Sequence, residues 1–123
     1  MASVIDVMVI TCIGGRKTKD LINKTILKLM KPSSIIVNVS RGSVINEVHL
    51  LEVLNQNLIG GAALDVFKME PKINNKFLKL KNVLLSPHNG SATFETREKM
   101  ANISSQNLLN LLYLNKSKNR VKY

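Results

Sequence analysis

The 123-residue sequence holds one cysteine, no tryptophan and three prolines, and aromatic residues make up only 4% of it. A single cysteine leaves no internal disulfide framework and no cysteine-built zinc site, and no other metal-ligand spacing is present. No apolar run approaches the roughly 18 residues needed to span a bilayer. The first ten residues, MASVIDVMVI, carry Asp6 and no basic stretch, unlike a secretory leader. A soluble, reducing, cytoplasmic setting is expected. The glycines are few, and neither Gly14-Gly15 nor Gly60-Gly61 has the G-x-G-x-x-G spacing of a phosphate-cradling loop. Ser43 and Ser91 lack the nucleophile-elbow pattern, which removes serine-hydrolase chemistry. The length admits one domain or part of one, and is too short for a full dinucleotide-binding domain plus a substrate domain. Hydrophobic residues at 45% argue against disorder.

Acidic residues are also scarce: 8 against 18 basic ones, a net charge of +10. The basic residues gather at 16–31, at 68–81 and in the tail after residue 115. A nucleic-acid surface would interleave such runs with stacking aromatics. Only Phe77 and Tyr123 lie among them, so solvated loops and a frayed basic tail over 115–123 are expected, with no nucleic-acid and no membrane partner.

Along the chain, strand and helix patterns alternate. Residues 6–11 (DVMVIT) and 34–39 (SIIVNV) are β-branched and read as buried strands. Between them Asn23 caps a short helix, TILKLM, that stops at Pro32. Asn46 caps a second helix in which Leu51, Leu54 and Leu58 recur on one face, and Gly60-Gly61 closes it. AALDVF and NVLLS supply a third and a fourth strand, separated by a basic loop with one helical turn near 76–80. Ser91 or Thr93 caps a last helix whose apolar stripe holds Met100, Ile103, Leu108, Leu111 and Leu112. Strands linked by helices or crossovers imply a parallel α/β sheet with both faces covered. In such sheets ligands bind at the carboxyl ends of the strands.

Three residues with useful chemistry follow three different strand ends: Arg41, Glu70 and His88. An arginine grips a carboxylate by two parallel hydrogen bonds. A histidine gives or takes a proton near neutral pH. A carboxylate on its other ring nitrogen holds the imidazole in place. Such a trio suits reduction of a keto group beside a carboxylate. Each residue also has an ordinary reading: a surface salt bridge, a solvated glutamate, and a histidine in the turn after Pro87. Asp65 ends an apolar strand and needs donors, either from a ligand amide or from backbone in a turn. His49, within a capped helix, reads as a surface or packing residue. Cys12, flanked by apolar residues, reads as a small buried side chain.

The segments MKPSSIIVNVSRGSVIN, GGAALDVFKMEP and NVLLSPHNGSATFETREKM resemble the D-isomer-specific 2-hydroxyacid dehydrogenases, and among them glyoxylate/hydroxypyruvate reductases. The resemblance runs over residues 5–112 in one order. It implies a partial Rossmann-like, doubly wound parallel sheet. Residues 1–114 would be the later part of an NAD(P)-binding domain, including the start of a helix returning to a substrate domain. The Gly-rich first half would be lacking, and the isolated chain would be incomplete and inactive. It further implies NAD(P)H as cofactor, a small 2-keto acid as substrate and a homodimeric complete enzyme. Arg41 matches the carboxylate-binding arginine, His88 the proton donor and Glu70 its acidic partner. Asp65 matches an acid near the nicotinamide amide; Ile13, Val39, Ser40 and Gly90, with Ser91 beside it, match cofactor-lining positions. Two departures stand out: Ile13-Gly14-Gly15-Arg16 replaces a Leu-Thr-Pro type segment, implying a looser loop, and Asn89 replaces an apolar residue. A non-catalytic, corepressor-like nucleotide-binding module on the same scaffold is the alternative.

Overall fold

The structure, a computed structural model, describes residues Met1–Leu114; the expected basic tail at 115–123 lies outside the described residues. The chain divides into two compact units, Met1–His88 and a second that begins at Asn89.

The first unit is a four-stranded parallel sheet, the expected α/β class. Strands β1 (Val7–Ile10), β2 (Ile35–Asn38), β3 (Gly61–Leu64) and β4 (Val83–Leu85) lie in the order β1-β2-β3-β4. Helix α1 (Lys24–Leu29) joins β1 to β2, and α2 (Glu47–Asn55) joins β2 to β3. Both helices start where an asparagine side chain replaces the missing carbonyl partners of the first turn. Asn23 Oδ1 accepts from the Thr25 and Ile26 N–H groups, and Asn46 Oδ1 from that of His49. Lys24 ties the helices together. Its Nζ lies 2.6 Å from Glu52 Oε1, and its N–H donates to His49 Nδ1. His49, expected as a surface or packing residue, is half-buried between the two helices.

The core forms on one face of the sheet. Ile10, Ile36, Ala62 and Leu64 pack with Leu27 of α1 and Leu50, Val53 and Leu54 of α2. The β3–β4 connection has no α-helix. Phe77, in a short 3-10 turn at Phe77–Lys79, is buried in the same core and takes the helix's place.

Three expectations need correction. The opposite face of the sheet is open: Val7, Val9, Ile35 and Leu84 are exposed, Val9 by 57% and Leu84 by 71%. The strand order explains it. Successive right-handed crossovers that always step in the same direction all return over one face, and covering the other needs a reversal of direction. Secondly, α2 ends at Asn55 and not at Gly60-Gly61, because Asn57 adopts a left-handed conformation (φ 52°). The Asn57 and Leu58 N–H groups then bond back to the Leu54 and Val53 carbonyls, a Schellman closure. Leu58 therefore lies outside the helix, and Leu50, Val53 and Leu54 form the buried stripe. Thirdly, Cys12 is exposed, since it stands past the last buried residue of β1, Ile10, in the following loop.

The second unit consists of a turn and helix α3 (Phe94–Leu114). Thr93, not Ser91, caps it: Thr93 Oγ1 accepts from the Thr96 N–H at 3.2 Å. Glu95 sits in its first turn, and none of its residues is buried.

Candidate functional site

The sheet register levels the strand ends. Ile10 pairs with Asn38, Asn38 with Leu64, and Leu64 with Leu85. The segments that follow, from Thr11, Val39, Asp65 and Ser86, therefore leave from one edge of a parallel sheet. That edge is where ligands bind in open α/β sheets.

Glu70 and His88, 18 residues apart, meet there. Glu70 Oε2 lies 2.6 Å from His88 Nδ1. The second oxygen, Oε1, accepts the Phe67 N–H at 2.7 Å. These bonds hold the Glu70 carboxyl below its ordinary pKa. The His88 bond is the largest cause, the Phe67 N–H the next, and the charges of His88 and Arg41 add to them against some desolvation. Both side chains remain partly solvated, His88 by 43% and Glu70 by 33%. His88 itself sits at φ 53°, a left-handed conformation uncommon for a side chain with Cβ. The bond to Glu70 offsets that cost and ties the β4 loop to the β3 loop. An open cleft of about 590 Å³ adjoins the pair, walled by apolar Phe67, Ile73, Leu78 and Leu85.

The Glu70 loop is held from below. Lys68 N–H donates to Glu47 Oε1 at 2.6 Å, from the first turn of α2. Gly42 lies so close to the Phe67–Lys68 peptide that a Cβ there would fall 2.0 Å from the Phe67 carbonyl carbon. The loop carrying Arg41 and the loop carrying Glu70 therefore pack backbone to backbone.

Arg41 follows β2 in extended backbone. Its stem crosses Gly14, where a Cβ would come within 2.5 Å of Arg41 Cγ. Its Nη1 donates to the Ser40 carbonyl at 2.7 Å, and its charge is felt at Glu70. Beneath it, Asn38 is 1% exposed. Asn38 Nδ2 donates to the Arg41 carbonyl at 3.0 Å, and Oδ1 accepts from the Ser40 N–H and hydroxyl at 3.1 and 3.2 Å.

Ile13, Val39, Ser40 and Arg41 border a second cavity, of about 360 Å³, beyond β1 and β2. Ile13 and Val39 are exposed apolar residues there. Ser40 borders the cavity, yet its hydroxyl is spent inward on Asn38. The loop is closed: Thr18 Oγ1 donates to the Ile13 carbonyl at 2.8 Å, despite the unusual Gly14-Gly15 pair. Asp65 is buried at the end of β3, and its N–H donates to the Asn38 carbonyl. Gly90 and Ser91 belong to the second unit, in the turn before α3. Asn38, Gly42 and Glu47 escaped the sequence reading. The signal for Asn38 was present, a polar residue inside the apolar run SIIVNV. Gly42 and Glu47 become visible only from the approach of the β3 loop.

The sequence over residues 1–90 matches the family described as D-isomer specific 2-hydroxyacid dehydrogenase, NAD binding domain. The chain belongs to that family. A glyoxylate reductase of Pyrococcus furiosus is 48% identical over 94 residues, which is 76% of this chain and 28% of that protein. A 2-ketogluconate reductase of Gluconobacter oxydans is 40% identical over 109 residues, 89% of this chain and 35% of that protein. The fold is shared with an NADPH-dependent glyoxylate/hydroxypyruvate reductase of Sinorhizobium meliloti, solved with NADP and malonate. The TM-score is 0.94 at 32% identity, over 98% of this chain and 38% of that one. The chain thus spans about a third of the length of these relatives.

Proposed function

We propose that this domain works in an oxidoreductase that reduces a small 2-keto acid, such as glyoxylate or hydroxypyruvate, to a D-2-hydroxy acid with NAD(P)H. The observation that carries the reading is the Glu70–His88 pair at 2.6 Å on the strand-end edge, with the Arg41 charge felt at Glu70. The relatives' names point to the same substrate class. No helix among the described residues is long and apolar enough to cross a membrane; the family resemblance supports a cytoplasmic, homodimeric complete enzyme.

The residues past β1 and β2 fit the nicotinamide end of a cofactor. Ile13 and Val39 offer apolar surface for a flat ring, and the family resemblance assigns Asp65, buried at the end of β3, to the nicotinamide amide. Bound reduced nicotinamide supplies the hydride; the rest falls to the chain. Arg41 takes the substrate carboxylate in two parallel hydrogen bonds, which turns the keto group toward His88. Glu70 stays ionised and engages Nδ1, so Nε2 of the protonated ring is the nitrogen that donates. As the carbonyl electrons move onto oxygen, His88 gives that proton and is left neutral. A positioned acid of this kind contributes on the order of 10²–10⁴-fold in rate.

The test replaces the matching 94 residues of the Pyrococcus furiosus glyoxylate reductase with those of this chain. The chimera should oxidise NAD(P)H on addition of glyoxylate. His88→Gln should remove turnover by roughly that 10²–10⁴-fold factor and leave cofactor binding intact. A His88→Gln chimera as fast as its parent would sink the proposal.

A further inference from the structure

We infer that Asn38 is a positioning residue for Arg41: buried in β2, it sets the angle at which the arginine leaves the sheet and so governs affinity for the substrate carboxylate. The inference deepens the proposed function and rests on it, since it takes Arg41 as the carboxylate-binding group.

Three observations carry it. Asn38 is a side chain 1% exposed whose polar atoms are all spent on Ser40 and Arg41, the second and third residues after the strand. Its carbonyl oxygen receives both the Ser40 N–H and the Ser40 hydroxyl, an Asx-type turn that ends β2 and bends the chain. Its amide then donates to the Arg41 carbonyl, closing the loop one residue further on. A strand position surrounded by Ile10, Ile36 and Leu64 would ordinarily take an apolar residue, because a buried polar group is tolerated only when fully paired. The pairing found here goes to the Arg41 segment. An Asn at this position does locally what neither a Leu nor an Asp does: it presents an acceptor to one peptide and a donor to the next. Arg41 needs such a fixed base. Its backbone is extended and its side chain exposed, with Gly14 under its stem and Nη1 on the Ser40 carbonyl. Two of the groups that orient it, the Ser40 and Arg41 carbonyl segments, are those that Asn38 holds.

The discriminating variant is Asn38→Asp. It keeps the acceptor for Ser40 but turns a carboxylate oxygen onto the Arg41 carbonyl. In this chain, with the Ile36 and Leu64 methyl resonances reporting an unchanged core, the Arg41 amide order parameter should fall from about 0.85 to below about 0.6. Asn38→Ser, too short to reach the Arg41 carbonyl, is the second variant should the first not fold, with the same expectation. An Arg41 amide that stays rigid in the folded variant would overturn the inference. In the chimera, Asn38→Asp should raise KM for glyoxylate about tenfold, the loss of one charge-assisted hydrogen bond, with kcat within about threefold and the cofactor Kd unchanged. Arg41→Ala separates the two ideas. If it leaves KM unmoved, the carboxylate role of Arg41 is wrong. If it raises KM while Asn38→Asp does not, or if Asn38→Asp lowers only kcat and stability, Asn38 is not a positioning residue.

Discussion

Gly42→Ala should damage both the fold and the site. The new Cβ would stand 2.0 Å from the Phe67 carbonyl carbon, 2.3 Å from its oxygen and 2.4 Å from the Lys68 nitrogen. All three are backbone atoms, so no flexible side chain can swing aside. Ordinary contact starts near 3.4 Å, so the two loops must part by about 1.4 Å, an overpacking strain of ~1–3 kcal/mol. The Phe67–Lys68 segment resists that movement, because the Phe67 N–H donates to Glu70 and the Lys68 N–H to Glu47. For a domain of this size each kcal/mol lowers Tm by roughly 4–8 °C. The same displacement weakens the Phe67 N–H bond that helps keep the Glu70 carboxyl acidic, so its titration midpoint should move up. Thermal unfolding by circular dichroism reads the first effect, and the Glu70 carboxyl carbon resonance followed against pH reads the second. A variant with Tm within about 2 °C of the parent and an unmoved Glu70 midpoint would refute the claim that these loops are packed backbone to backbone.

His88→Gln should raise the Glu70 midpoint toward the ordinary carboxylate value, because the largest cause of its depression is lost while the Phe67 and Arg41 contributions remain. The sign for stability follows. A depressed carboxylate stabilises above its unfolded pKa, and that contribution is lost as pH falls through the folded value. The acid-side decline of stability should therefore be shallower in His88→Gln, and an equal or steeper decline in acid titrations of unfolding would count against the pair. In the chimera, Arg41→Lys should raise KM for glyoxylate by about 10- to 100-fold with a smaller change in kcat, since lysine keeps the charge but loses the two-pronged grip; an unchanged KM speaks against that role. Leu27→Ala should cost about 2–5 kcal/mol in urea unfolding, and Val9→Thr no more than about 0.5 kcal/mol. Equal costs would contradict the open sheet face.

Much of the frame was legible locally. Asn23 and Asn46 cap their helices through groups two or three residues away, and the β-branched runs around Val9 and Ile36 are strands whatever lies beside them. The end of α2 was misread because two glycines look like the stronger stop signal. Asn57, three residues earlier, already tolerates the left-handed conformation that satisfies the last carbonyls. The covering of both sheet faces was misread because periodicity says that a strand is apolar, not which of its faces meets a helix.

The amino-acid sequence by itself determined the alternation of strand and helix and the chemical kinds of residue that follow each strand. These depend on neighbours along the chain. The tertiary structure alone decided that Glu70 and His88, 18 residues apart, meet at 2.6 Å, and that Asn38 turns inward to hold Ser40 and Arg41. It also decided that every crossover lies on one face of the sheet. Those outcomes follow from the register that levels Ile10, Asn38, Leu64 and Leu85, and from a strand order that advances in one direction. Register and order are set by which side chains bury together across the sheet, a relation that spacing along one strand does not contain.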